Sequence, residues 1–249
     1  MDKVIITLTT VPNRLNASNQ QSLKTLFEIL LNLTYTNYEI HFNIPFMCKK
    51  TGEEYIIPDW LDELVSEKFK IYRTLDYGSI TKILPTILRI NDPETIIITV
   101  DDDLIYIDGF IEYHLEKRKA YPDAALGFAG LSALDGSCHF CTTLERDTRV
   151  KILEGYKTVS YKRKFFDNDI VEFSKNSWSD DIVLSAYLGM KSVPKIVINY
   201  SGDTNFNPRV ESFPVVGHLP FERGGCFLYR NENTPDNHEI YHKLGYLER

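Results

Sequence analysis

Extended β-branched runs and helix-spaced runs take turns along the first two-thirds of this chain, and that alternation leaves few folds open. Lys3–Thr9 (KVIITLT) is apolar enough for a strand buried on both faces. From Ser18 to about Leu33, the residues Leu23, Leu26, Phe27, Leu30 and Leu31 recur at helical spacing. Tyr38–Ile44 alternates as a second strand, Pro58–Leu61 opens a short helix, and Lys70–Thr74 predicts a third strand. Ile80–Ile90 predicts a helix, with Pro85 either kinking it or lying near its start. Thr95–Val100 (TIIITV) is a fourth strand, Gly109–Ala120 a helix and Ala124–Ala129 a fifth strand. A β-α-β-α order of this kind packs as an α/β fold with a mostly parallel central sheet and helices on both faces. Ligands in such sheets sit beyond the carboxyl ends of the strands.

The pattern weakens from Leu131 to about Phe173, where Thr158–Tyr161 reads as a short strand among charge-rich loops. A helix restarts at Ser179 and runs to about Leu188, and Lys195–Tyr200 predicts another strand. The tail after Ser201 is rich in Pro, Gly and Asn and reads as ordered loops near a site or a mobile lid. Without repeats or a clean linker, the 249 residues read as a single domain with two halves, 1–105 and 106–200, and a loop-rich tail, 201–249. With 28 basic against 35 acidic residues the formal charge is −7, which disfavours nucleic acid and anionic membranes as partners and suits a divalent cation. No stretch approaches the roughly 20 apolar residues of a transmembrane helix, and no signal-peptide pattern opens the chain. The expectation is a cytoplasmic protein in which Cys48, Cys138, Cys141 and Cys226 are free thiols and the sequons at Asn16, Asn32 and Asn199 are chance. Cys138-His139-Phe140-Cys141 has no second cysteine pair with which to complete a structural zinc site.

Two acidic clusters carry the chemistry. Asp101-Asp102-Asp103 follows directly on TIIITV, at the carboxyl end of a buried strand. Three adjacent carboxylates repel one another unless a cation offsets them, and their hard oxygens suit Mg²⁺ or Mn²⁺. In an extended backbone Asp101 and Asp103 point one way and Asp102 the other. An acidic turn after a strand is the alternative. Ser177-Trp178-Ser179-Asp180-Asp181 reads as a helix start with Ser179 as N-cap. Acidic residues there stabilise a helix in any case, but beside the first cluster one of them can serve as a general base. Asp181 is the first choice and Asp180 the reserve, because adjacent residues on a helix face different directions.

Three segments in this order carry a family resemblance: TLTTVPNRL, then DYGSITKILPTIL with ITVDDDLIY, then SWSDDIVLSAYL. The chain resembles the GT-A glycosyltransferases, especially the family 2-like enzymes of bacteria and large DNA viruses that build surface glycans. The resemblance covers about residues 4–190. It implies a Rossmann-like GT-A fold and a metal-dependent, inverting transfer from a nucleotide-sugar donor to a glycan or glycoconjugate acceptor. It places the donor in the first half and the acceptor in the second. Thr9, Thr10, Pro12 and Arg14 would line the nucleotide pocket. Asn43 stands where many relatives place an acidic residue that binds the base. Arg73, Asp76, Gly78 and Lys82 would contact base, ribose or phosphate, Asp101 and Asp102 ribose or phosphate, and Asp103 the metal, with Asp101 as a further ligand. Where relatives have Glu-Asp, this chain has Asp180-Asp181.

Some of these residues have plainer readings. A helix lysine such as Lys82 is usually solvated along its stem, although the glycine turn before it favours close approach to a phosphate. Arg14 is either a surface charge or a phosphate contact. His218, with His238 and His242 behind it, is the candidate for a further metal ligand, against the ordinary reading of a surface loop histidine. Trp178 is the aromatic expected to touch a sugar. Three rivals remain: a sugar nucleotidyltransferase, for which TTVPNRL lacks the glycines; a catalytically silent sugar-binding module; and a retaining transferase.

Overall fold

The structure, a computed structural model, describes residues 2–132, 139–141, 146–175, 179–200, 215–220 and 245. The strands are β1 (Val4–Leu8), β2 (Tyr38–Pro45), β3 (Phe69–Thr74), β4 (Ile96–Thr99), β5 (Leu104–Tyr106), β6 (Ala125–Gly127) and β7 (Ala129–Leu131). They continue with β8 (His139–Cys141), β9 (Thr148–Arg149), β10 (Ile152–Leu153), β11 (Val159–Lys162), β12 (Lys195–Val197) and β13 (Val215–His218). The helices are α1 (Pro12–Leu15), α2 (Gln20–Leu31), α3 (Asp59–Asp62), α4 (Leu84–Arg89), α5 (Phe110–Ala120), α6 (Ile170–Phe173) and α7 (Asp180–Met190).

Eight strands form the main sheet in the order β3-β2-β1-β4-β11-β6-β12-β9. β1 pairs in parallel with β2 and β4, β2 with β3, and β6 with β12, while β11 and β9 run the other way. The mostly parallel sheet expected from the β-α-β-α order is therefore present. Its two faces follow from side-chain alternation. Val4, Ile6 and Leu8 pack with Phe42 and Ile98 against Leu23, Leu26, Phe27 and Leu30 of α2 and Phe110 of α5. On the other face Ile97, Val159 and Tyr161 meet Leu84 and Ile87 of α4 and Val183, Leu184 and Tyr187 of α7. Among the described residues no helix is long and apolar enough to cross a membrane.

Local chemistry changed some expected boundaries. The helix read over Ile80–Ile90 is a 3-10 turn, Gly78–Lys82, followed by α4. Proline disfavours helical geometry in the residue before it and lacks a donor, so Pro85 sits at the start of α4 and does not kink a longer helix. The strand read over Ala124–Ala129 breaks at Phe128, whose ring is fully buried against His114 and Tyr113. Beyond the break β7 joins a second sheet, β10-β7-β8. The strand expected over Lys195–Tyr200 ends at Val197. In the weakly patterned region after Leu131 the short strand read over Thr158–Tyr161 is β11, the region also supplies β9, β10 and α6, and the tail supplies β13, paired antiparallel with β5.

Phe27 stands at the centre of one core, edge-on to Phe42 at 5.0 Å and to Phe69 at 4.8 Å. It joins α2 to both β2 and β3, so Phe27→Ala is expected to cost about 3–5 kcal/mol in denaturant unfolding. A loss under about 1 kcal/mol would show that the helix is not fixed through this ring.

Candidate active site

The triple aspartate lies just past β4, at the carboxyl end of the parallel strands. Its backbone is fixed from two sides. The Asp101 N–H donates to the Tyr106 hydroxyl at 2.7 Å, and the Leu219 N–H, just after β13, donates to the Asp103 carbonyl at 2.9 Å. The side chains depart from the simple alternation expected of an extended segment, because residues 102 and 103 form a turn. Asp102 is 7% exposed and turns inward, accepting from Thr10 Oγ1 at 2.5 Å and from Arg14 Nη1. Arg14 Nη2 reaches Asp103 Oδ2 at 3.0 Å, so Asp102 and Asp103 share one guanidinium. Burial pushes the Asp102 carboxyl up to about 6, against the pull of Arg14. Thr10, Arg14 and Asp102, read from the sequence as donor contacts, are joined to one another and tie the β1–α1 loop to the aspartate turn. Pro12, at the first turn of α1, is buried behind them.

Asp101 faces a different cation. Lys82 Nζ lies 2.6 Å from Asp101 Oδ1 and 2.8 Å from Asp180 Oδ2, with only 11% of its side chain exposed. The solvated-lysine reading is therefore excluded. The turn that delivers it begins at Gly78, whose φ of +78° suits glycine. Asp76 braces that turn, accepting from the Gly78 N–H at 2.8 Å and, with its other oxygen, from the Lys49 N–H at 2.7 Å. The Lys82 carbonyl accepts from Thr7 Oγ1 at 2.5 Å and from Asn43 Nδ2 at 3.3 Å. Asn43 is fully buried, and it also contacts Thr7, Thr86 and Arg89. Read from the sequence as standing at a base-binding position, it holds the backbone beneath Lys82. Burial works against the Lys82 charge, but Asp101, Asp180 and Asp181 together hold its pKa well above the ordinary lysine value.

The second acidic cluster arrives at the head of α7. Ser179 Oγ accepts from the Ile182 N–H at 3.4 Å, the N-cap read from the sequence. Asp180 donates its own N–H to Ser79 Oγ at 3.0 Å and turns its carboxylate to Lys82. Asp181 turns away and accepts from the Gly155 N–H at 2.8 Å. Burial opposes ionisation of both, yet Lys82 holds Asp180 below the usual carboxylate range. Burial and the neighbouring Asp180 charge push Asp181 up to about 8. The two environments separate the pair into an ionised partner of Lys82 and a proton-holding neighbour.

Gly155 was not legible in the sequence as a site residue. A Cβ added there would lie 3.0 Å from Asp181 Oδ1 and 3.5 Å from Lys82 Nζ, so a side chain at this position would press on the Asp181 carboxyl. An isolated glycine amid weak periodicity was its one signal. Ser79 and Tyr106 lay inside quoted segments without a role. Thr9 donates to the Asn43 carbonyl at 2.8 Å and is half-buried at the loop after β1. Arg73 is spent at the end of β3, where it donates to the Tyr55 carbonyl at 2.9 Å and lies over the Phe46 ring. The His218 backbone lies opposite Leu104, beside the aspartate turn. Trp178, Cys138, Cys226, His238 and His242 lie outside the described residues.

Among the described residues no three His, Cys, Asp or Glu side chains converge as a metal-ligand group. The donor chemistry nevertheless fits a hard divalent cation. Asp101 and Asp103 are 26% and 30% exposed at the side chain, and among the described residues the cations paired with the two acidic clusters are Arg14 and Lys82.

Asp181 also fixes the sign of a stability effect. Its folded carboxyl titrates near 8 and an unfolded aspartate near 4, so folding takes up a proton between those values. Its contribution is full below about pH 4 and is lost as pH rises through about 8. Asp181→Asn should remove that slope and gain stability relative to the unsubstituted protein on going from pH 4 to above pH 8. Parallel denaturation curves at both pH values would contradict the burial of Asp181.

No protein-family profile and no curated protein matches the chain. Among solved structures it is similar to S. aureus TarS residues 1–349, with a TM-score of 0.50 at 10% identity over 78% of this chain. The chain spans 58% of that structure's length. At this identity the likeness is one of fold alone.

Proposed function

We propose that this chain transfers a sugar from a nucleotide-sugar donor to a hydroxyl of a glycan or glycoconjugate acceptor, with inversion at the anomeric carbon. The observation that carries the reading is the Lys82 ammonium held between Asp101 and Asp180, which joins the two acidic clusters in one place. Asp181 is the base. It takes the proton of the acceptor hydroxyl as that oxygen forms its bond to the anomeric carbon. The bond from the anomeric carbon to the donor's phosphate oxygen breaks, and the nucleoside diphosphate departs with that electron pair. Lys82 keeps Asp180 ionised and places positive charge beside Asp101. Asp101 and Asp103, with His218 as a further candidate, would hold Mg²⁺ or Mn²⁺, which when bound offsets charge on a leaving diphosphate. Arg14 fixes the direction of Asp103 through Nη2.

Asp181 supports this role by its proton affinity. A base that titrates near 8 holds a proton firmly enough to be useful at neutral pH, and it is distinct from the carboxylate tied to lysine. The rate constant kcat should rise with pH and level off above about 8, as Asp181 loses its proton. Asp181→Asn should lower kcat by about two to four orders of magnitude and leave nucleotide binding intact. Unchanged turnover would remove Asp181 from the role.

Metal dependence has its own test. Nucleoside diphosphates should raise Tm more with Mn²⁺ than with a chelator, because a ligand that binds the folded state stabilises it. Asp103→Ala should abolish that increment, and an increment that survived the substitution would place the ion elsewhere.

A further inference from the structure

The turn that donates to Asp181 ends in a conformation its sequence disfavours. Gly155–Lys157 forms a single 3-10 turn, closed by the Thr158 N–H to the Gly155 carbonyl at 3.0 Å. Thr158 has φ +78° and ψ 139°, a region open to glycine and costly for a β-branched residue. The other non-glycine residue with positive φ among those described, Ser192, lies just past the end of α7, where left-handed geometry is common. Thr158 has no such excuse at the entry to β11. That strand runs antiparallel to β4, with Val159 opposite Thr99, so the turn lies beside the aspartate cluster.

A conformation of this kind persists where its neighbours over-determine it. Thr158 is fully buried, and its Oγ1 shares a hydrogen bond with His114 Nε2 at 2.9 Å. His114 is itself fully buried on α5, with its ring edge-on to Phe128 at 4.7 Å. Its other ring nitrogen, Nδ1, has no hydrogen-bond partner among the described residues. Burial and the Arg118 charge keep the ring neutral. A buried imidazole with one nitrogen unsatisfied is a poor core residue on packing grounds alone. Among the described residues, its hydrogen-bond partner is the strained residue that closes the Gly155 turn.

We propose that His114 is a positioning residue for Asp181, acting through the Thr158 hydroxyl and the Gly155 amide. The chain of contacts is continuous: His114 Nε2 to Thr158 Oγ1 at 2.9 Å, Thr158 N–H to the Gly155 carbonyl at 3.0 Å, and Gly155 N–H to Asp181 Oδ1 at 2.8 Å. The functional meaning rests on the reading of Asp181 as the base, while the link from His114 to the carboxyl is a matter of geometry. Asp180, Lys82 and Asp101 also act on Asp181 and set the background for its titration.

The test follows the Gly155 amide by ¹H-¹⁵N NMR, as its exchange rate and as its shift against pH, alongside steady-state kinetics. Thr158→Val and His114→Phe remove the hydrogen bond, and Thr158→Ser keeps the hydroxyl. Thr158→Gly removes the hydroxyl while relieving the backbone, so it should remain folded where the others fail. With the bond removed, Gly155 exchange should speed by about tenfold or more, and the titration midpoint should rise because the carboxylate loses a donor that favours its charged form. The rate constant kcat should fall by about tenfold with donor KM within about twofold, and Thr158→Ser should restore the unsubstituted values. Identical Gly155 exchange and midpoint in Thr158→Gly, Thr158→Ser and the unsubstituted protein would overturn the proposal and leave His114 a packing residue. If the amide responds as expected but the unsubstituted protein transfers no sugar, the transferase reading fails and the positioning link stands.

Discussion

The ammonium of Lys82 is the contact on which the rest of the site depends. It lies between Asp101, past β4, and Asp180, at the head of α7, groups that come from distant parts of the chain. Taking three charges largely out of water is costly, and their attraction offsets that cost only where the geometry is good and other polar groups are satisfied. The fold supplies those conditions from below. Thr7 and Asn43 hold the Lys82 carbonyl, Asp76 braces the turn before it, and Ser79 takes the Asp180 amide. Buried polar groups beneath the sheet's carboxyl end thus serve to fix one lysine.

The same lysine makes the two adjacent aspartates unequal. With its charge spent on Asp180, that residue stays ionised and its negative charge falls on Asp181, which burial already disfavours as an anion. Gly155 then offers a single amide to Asp181 and no side chain that could crowd it. An acidic pair at a helix start becomes one anion held by lysine and one carboxyl that keeps its proton to higher pH. Such an arrangement is unfavourable to stability above neutral pH, as expected where function and folding compete.

The scaffold was legible because it rests on periodicity. Val4–Leu8, Tyr38–Pro45 and Ile96–Thr99 are β-branched or alternating runs, and Ser179 is an N-cap by residue type and position. The two acidic clusters were legible as well, since carboxylates at a strand end and a helix start stand out in sequence. The direction of each side chain was not. Asn43 reads as a ligand contact at the end of a strand, but the pleat turns it inward beneath Lys82. Asp102 reads as pointing away from Asp101 and Asp103, and the turn at residues 102 and 103 buries it on Arg14 and Thr10. Gly155, His114 and Thr158 carry no motif, and their importance comes from tertiary contacts between α5, β11 and α7.

The most direct test of the account is a ¹³C-carboxyl NMR titration of Asp180 and Asp181, in the unsubstituted protein and in Lys82→Met. Two well-separated midpoints are predicted for the former, Asp180 below the usual carboxylate range and Asp181 near 8. Removing the ammonium should raise both, because it is the cation that favours the charged form of each. Midpoints that coincide in the unsubstituted protein, or that do not move in Lys82→Met, would contradict the claim that this lysine organises the site.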